Sequence, residues 1–234
     1  MKLLAFETAT EGCSVAVLVD GDVRERFEVA PRRHAELALP WAGELLAGAG
    51  VAKSQLDAVA VGRGPGAFTG VRLAIALAQG IALALDRPVV PVSTLAALAA
   101  RAPESGSAQV LAAIDARMGE VYSAAFVRRD GGLSALSAES VSLPDAVALP
   151  SGEGAWQGVG TGFAAGEGVL AARLAARLSA VDATALPRAA DVARLAAIAF
   201  ARGEALPPER AEPAYLRDNV ALTLVEQQAL RDSR

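Results

Sequence analysis

The sequence predicts an α/β fold of two similar lobes, each built on a mixed sheet. Three observations carry this. The apolar runs of the first hundred residues fall in the order β-β-β-α-β-α-β-α, three antiparallel strands extended by parallel ones through crossover helices, as in a ribonuclease-H-like lobe. A strand, acid, turn, strand pattern beginning at Leu3 comes again at Val110, about 108 residues on, so that Glu7 and Asp115 fall at matching strand ends. The chain has 234 residues, 53% of them hydrophobic and 4% aromatic, enough for two lobes near a hundred residues each with cores of Ala, Leu and Val.

In chain order, Lys2 to Ala9 and Cys13 to Val19 read as strands. Asp20-Gly21 is a two-residue hairpin signal, and Val23 to Val29 completes a meander. Pro31 breaks the pattern, and a helix follows over roughly Ala35 to Leu46 with Pro40 near its start. Ala58 to Val61 is a strand, then comes the loop 62–70 and a helix reaching Leu85. Val89 to Val92 is a strand, and Thr94 to Ala102 a helix capped by Ser93 or Thr94. The polar turn 103–107 marks a lobe boundary, giving an N-terminal lobe over 1–104 and a C-terminal lobe with an extended tail over 105–234. Beyond it, Val110 to Asp115 and Val121 to Val127 are strands, the second followed by Asp130-Gly131, and a short strand surrounds Val159. Helices are expected over Val169 to Leu178 and Ala189 to Ala201, the latter stopped by Gly203. Pro207, Pro208 and Pro213 keep the tail extended, Tyr215-Leu216 is placed to pack back on the body, and the last dozen residues are polar.

The organising stretch is GRGPGAFTG, residues 62–70, and the helix after it. Its glycines permit close backbone approach and positive φ, and Thr69 is placed to cap the helix. Gly62-x-Gly64-x-x-Ala67 fits a loose dinucleotide fingerprint, and a Gly-rich turn at a helix N-terminus suits phosphate, which makes Glu7, Gly64, Gly66 and Thr69 the candidate cofactor-binding residues. Against this, Asp86 precedes the next strand instead of ending it, and no Lys stands at a P-loop position. A tight turn that lets helix and strand pack closely is the alternative. From Val71 to Leu85 only Arg72 and Gln79 are polar, about 20° apart on a helical wheel, so nearly the whole circumference is apolar. Fifteen residues reach about 22 Å, against about 30 Å of hydrocarbon, which disfavours a membrane span. Ala74, Ala78 and Ala82 form one row of small residues and Ala76, Gly80 and Ala84 another, so a second helix can approach closely. Either the chain buries this helix, or a partner protein covers its outer side.

A net charge of −4 argues against a chain that holds a nucleic-acid backbone unaided. One Cys and one His exclude an internal disulfide and a soft-ligand metal cluster, and no metal or cofactor is expected. Met1-Lys2 runs into a strand without a signal-peptide pattern, so the expected location is the cytoplasm. A nuclease of this fold would cluster acids, with Glu7, Asp115, Glu11, Asp20 and Glu120 as candidates. His34 is a candidate base and Cys13 reads as a core residue. No nucleophile elbow surrounds any Ser, and no catalytic constellation emerges.

Four blocks, residues 6–16 (FETATEGCSVA), 62–72 (GRGPGAFTGVR), 114–122 (IDARMGEVY) and 212–217 (EPAYLR), resemble the TsaB family, also called YeaZ. The resemblance implies an actin-like/Hsp70-like (ASKHA) fold of two ribonuclease-H-like lobes. It implies a non-catalytic paralogue of TsaD, the enzyme that transfers the threonylcarbamoyl group to the tRNA adenosine 3′ of the anticodon. It also implies pairing with TsaD, docking of the ATPase TsaE on that pair and contact with tRNA only through the complex; the uncovered apolar helix itself predicts self-association to a homodimer when the chain is alone. Where TsaD holds its metal by two histidines, this chain has Thr94 and Leu98, and where the family usually carries Asp in the first strand it has Glu7. The family's dimer contact falls on the helices 35–46 and 69–85, which makes Leu37, Trp41, Leu45, Ala74, Leu77, Ala78, Gly80, Ile81 and Ala82 the expected interface. The rival readings are an ATP-dependent ASKHA phosphotransferase or ATPase and a nuclease.

Overall fold

The structure is a computed structural model that describes residues 1–104, 107–129 and 132–217. Ser105-Gly106 of the boundary turn, Asp130-Gly131 and the polar last dozen residues lie outside these. The first sheet is β1 (Lys2–Glu7), β2 (Gly12–Val19), β3 (Asp22–Val29), β4 (Ala58–Gly62) and β5 (Val89–Val92), in the order β3-β2-β1-β4-β5. β1, β2 and β3 pair antiparallel, and β4 and β5 add in parallel. The crossovers are α1 (His34–Gly48), which carries Pro40 inside it, and α2 (Phe68–Leu85). α3 (Thr94–Ala99) follows, capped by Ser93, whose hydroxyl accepts from the Ala96 amide.

The second sheet repeats the plan with β6 (Gln109–Arg117), β7 (Glu120–Arg129), β8 (Gly132–Ala135), β10 (Trp156–Val159) and β11 (Leu178–Asp182), in the order β8-β7-β6-β10-β11. β9 (Ser140–Ser142) pairs beside β7. Antiparallel and parallel pairs recur in the same places as in the first sheet. The helix expected to Leu178 ends earlier: α4 (Ala165–Leu174) is followed by a 3-10 turn, and Leu178 opens β11. α4 is also broken near its start, where Gly166, Glu167 and Gly168 take left-handed backbone angles.

Period-two alternation gives β1, β2, β4 and β5 two apolar faces. Leu4, Phe6, Val15, Val17, Val59 and Val61 meet α1 and α2, while Leu3, Ala5, Ala16, Ala58, Ala60 and Val90 point the other way. Both crossover helices lie on one side, so the second face needs another cover. α5 (Ala189–Ala201) provides it with Ala189, Val192, Ala193 and Ala196. The expected division at residue 104 is therefore corrected: α5 and the tail after it return to the first lobe. α3 sits between the sheets, packing Leu95 and Leu98 against Val110, Ala112, Ile114 and Phe126 of the second.

Candidate functional site

At the end of β1 the chain closes on itself. Glu7 is 1% exposed, with the Ala9 amide donating to its Oε1 at 2.8 Å and the Thr94 hydroxyl to its Oε2 at 2.9 Å. Thr94 Oγ1 in turn accepts from the Gly64 amide at 3.1 Å. Burial pushes the Glu7 carboxyl up to about 7, against the lowering effect of those hydrogen bonds. The loop glycines serve this packing. A Cβ at Gly62 would lie 1.9 Å from Glu7 Oε2, one at Gly66 2.4 Å from the Ala9 carbonyl, and one at Gly70 2.0 Å from the Thr8 carbonyl. The Ala67 amide donates to the Ala9 carbonyl at 2.7 Å, and the Thr8 hydroxyl to the Gly70 carbonyl at 2.7 Å.

Of the four cofactor candidates, Glu7 is sealed beneath the loop and the Gly64 amide is engaged by Thr94. Thr69 does not cap. α2 begins a residue earlier with Ala67 as N-cap, positioned by its bond to Ala9, and Thr69 is exposed in the first turn. Gly66 lines the cleft between the lobes. Thr94 and Leu98 are both fully buried, Leu98 in the apolar core beneath the second sheet.

The cleft encloses about 480 Å³, with Phe68, Val71, Ile114 and Tyr122 on its apolar walls and Arg32 and Asp115 among its charged ones. The nuclease candidates do not meet there as a cluster. Glu11 and Asp115 line the cleft, Asp20 pairs with the N-terminal ammonium, and Glu120 pairs with Arg217. Glu7 and Asp115 differ in setting: the first is enclosed, the second lies at the cleft. Asp115 accepts from the Arg117 amide at 2.8 Å. His34 opens α1 with its Nε2 3.0 Å from the Thr10 carbonyl oxygen. Cys13 is buried, which with the Glu28 charge pushes its thiol up to about 11. Among the described residues no three His, Cys, Asp or Glu side chains are grouped to hold a metal ion.

α2 presents the other feature of the lobe. Its 18 residues make it, by length and composition, able to cross a membrane, yet Val71, Ala74, Ile75, Ala78 and Ala82 belong to the first core. The expected interface is corrected accordingly. Ala74, Ala78 and Ala82 are 0% exposed, and Trp41 and Leu45 of α1 are also buried, so these five hold the helices to the sheet. Leu37, Leu77 and Ile81 are half-buried. The outward side is the second small-residue row, Ala76, Gly80 and Ala84, with Leu83 at 62% exposure and Phe68 at 59%. Arg72 and Gln79 flank it and grip the tail: the Arg72 Nε donates to the Tyr215 hydroxyl at 2.8 Å, and the Gln79 amide to the Pro208 carbonyl at 2.9 Å. A wheel that is apolar all round shows that two sides need cover; it cannot show which small row turns inward.

Two duplicated mixed sheets with a cleft between them define a two-lobed actin-like α/β protein of the ASKHA class. The model of the family described as TsaD, tRNA N6-adenosine threonylcarbamoyltransferase, matches residues 27–224. The TsaB protein of Escherichia coli (strain K12), named for tRNA threonylcarbamoyladenosine biosynthesis, is 42% identical over 225 residues, 94% of this chain and 96% of its own. The solved structure of YeaZ from Pseudomonas aeruginosa is 47% identical with a TM-score of 0.83, covering 92% of this chain and 99% of its own. A second structure, titled an uncharacterized protein with similarity to peptidase YEAZ from P. aeruginosa, matches with the same identity and coverage and a TM-score of 0.84. The chain belongs to this family, and within it to the TsaB (YeaZ) proteins.

Proposed function

We propose that this chain is a non-catalytic subunit of the cytoplasmic machinery that forms N6-threonylcarbamoyladenosine on tRNA, acting as scaffold and activator of a TsaD-type paralogue. The observation that carries it is α2, whose inner side is core while its outer side offers exposed apolar residues around a row of Ala and Gly. Small residues let a partner helix come close, and a paralogue built on the same lobe supplies an equivalent helix. In this reading the docking surface is Leu37, Leu77, Gly80 and Ile81 together with Ala76, Leu83 and Ala84. TsaE docks on the resulting pair, tRNA is met only through the complex, and two copies pair through α2 when the partner is absent.

The end of β1 supports the lack of a reaction centre, because the loop there is packed against residues 7–9 and its acid is enclosed. Calorimetry with Mg-ATP on the lone chain separates this reading from an ATP-dependent enzyme, for which tight binding followed by turnover is required. Gly80→Trp tests the docking itself. A Cβ at Gly80 meets nothing within 4 Å, so a side chain there leaves into open space and the variant should keep the fold, which its thermal midpoint checks. The expected result is loss of the complex with the TsaD-type partner and of tRNA modification; a complex of unchanged affinity would refute the assigned surface.

A further inference from the structure

We propose that residues 206–217 are a clasp that holds the two lobes at a set separation and ties that separation to α2. The segment leaves α5 and pairs with the outer edge of the first sheet, where Leu206 and Val89 exchange amide–carbonyl bonds of 2.8 Å. It then runs along α2. The Gln79 amide donates to the carbonyls of Pro208 and Ala211 at 2.9 and 3.2 Å, and Ala211 is sealed into the first core. Further on, the Ala214 amide donates to the Arg63 carbonyl at 2.8 Å. Arg72 donates to the Tyr215 hydroxyl, its guanidinium lying 3.5 Å from the Phe68 ring centroid. Two residues later the segment crosses to the other lobe: Arg217 donates to the Ala116 carbonyl at 3.3 Å and pairs with the Glu120 carboxylate, beside Met118 Sδ at 3.6 Å.

The two polar side chains between Val71 and Leu85 are therefore both spent on the tail. Neither is required for α2 to pack on its sheet, which Val71, Ala74, Ile75, Ala78 and Ala82 accomplish. The lobes are packed together through α3, whose Leu95 and Leu98 meet the second sheet. Elsewhere they part around the cleft of about 480 Å³, one wall of which is residues 213–217. A packed hinge with a strap across the opening is the geometry of a clasp. Arg63 is its second fastening, because its carbonyl holds Ala214 while its guanidinium pairs with Glu139 of the second lobe at 3.1 Å. The Arg217–Glu120 and Arg63–Glu139 pairs are mostly shielded, with side-chain exposures of 20% and 32% and of 33% and 15%, so they resist screening better than fully exposed pairs.

The clasp is read on the lone, full chain and does not depend on the docking reading, which Gly80→Trp tests separately. Nitroxides on Ser54→Cys and Glu153→Cys, exposed positions on the two lobes, report lobe separation by pulsed electron spin resonance, while Cys13 is 0% exposed and stays unlabelled. The parent should give one narrow distance distribution. Arg217→Ala should broaden it and lengthen its mean by roughly 3 Å or more, and the charge swap Arg217→Glu with Glu120→Arg should narrow it again. Tyr215→Phe, which keeps the ring and removes only the acceptor for Arg72, should give an intermediate width. A thermal midpoint within about 3 °C of the parent certifies that each variant is folded. A folded Arg217→Ala chain with the parent's distribution, or a charge swap that leaves the broad one, would overturn the proposal.

Discussion

The two lobes share a strand frame and differ in what lies over it. Both sheets run in the same order with the same parallel and antiparallel pairs. Over the first, the crossovers are α1 and α2, of 15 and 18 residues; over the second, the one crossover helix among the described residues is α4, of 10 residues and broken where Gly166, Glu167 and Gly168 are left-handed. The strand ends differ too. In the first lobe an acid is enclosed under a glycine loop; in the second, Asp115 stands at the cleft. A duplicated frame thus fixes the sheets and leaves the helices and loops free to diverge. In this chain the first lobe carries the long helix with an exposed apolar outer side, and the end of its first strand is closed by packing.

That contrast is open to direct attack. The largest effect on stability should come from the first strand end. Gly62→Ala places a carbon 1.9 Å from Glu7 Oε2 in a site with no room to yield, and should cost about 3 kcal/mol in urea unfolding. Adding Glu7→Asp, whose carboxylate is shorter by one methylene, should recover part of the loss; no recovery would mean that the loop itself is what fails. Next comes the inward row of α2. Ala78→Leu should cost about 2 kcal/mol by overpacking a position 0% exposed, whereas Ala76→Leu on the outward row should stay within about 0.5 kcal/mol. Equal costs would show that the two rows are wrongly assigned.

The effect of Glu7 is comparable in size and depends on pH. Its folded-state value of about 7 lies above the ordinary 4.5, so the folded chain holds this proton more tightly than the unfolded one. The associated stability is complete below about 4.5, is lost as pH rises through 7, and does not change above that. Relative to Glu7→Gln, the parent should therefore lose on the order of 3 kcal/mol between pH 4.5 and 7.5. A parent and variant whose stabilities run parallel across that interval would exclude a buried acid. The smallest effect belongs to the second lobe. Asp115→Asn keeps an oxygen for the Arg117 amide and should change stability by less than about 0.5 kcal/mol at any pH.

Much of the first lobe was legible in the sequence, because its strands and helices are long and their apolar periods clean. α5 has the bounds read from its apolar face, Ala189–Ala201. What escaped has physical reasons. β8, β9 and β11 are strands of three to five residues with few buried positions, too short for period-two alternation to register. The start of α2 is set by a bond from Ala67 to Ala9, 58 residues away, which no local capping rule detects. The return of α5 to the first sheet follows from that sheet having two apolar faces and its crossover helices covering one, a count that needs the topology first. At the loop, the glycines were visible and their purpose was not. Close approach to residues 7–9 requires Gly62, Gly66 and Gly70, whereas only Gly64 among them takes a positive φ, of 91°.

The central claim is that the outward face of α2 is the partner surface and the second lobe contributes no equivalent. One calorimetric comparison tests it: binding of a TsaD-type partner to Ala76→Trp, on that face, and to Val169→Trp, on the exposed side of α4. The account predicts at least a hundredfold weaker binding for the first, about 2.7 kcal/mol, and less than a twofold change for the second. Undiminished binding by Ala76→Trp, or loss confined to Val169→Trp, would contradict it.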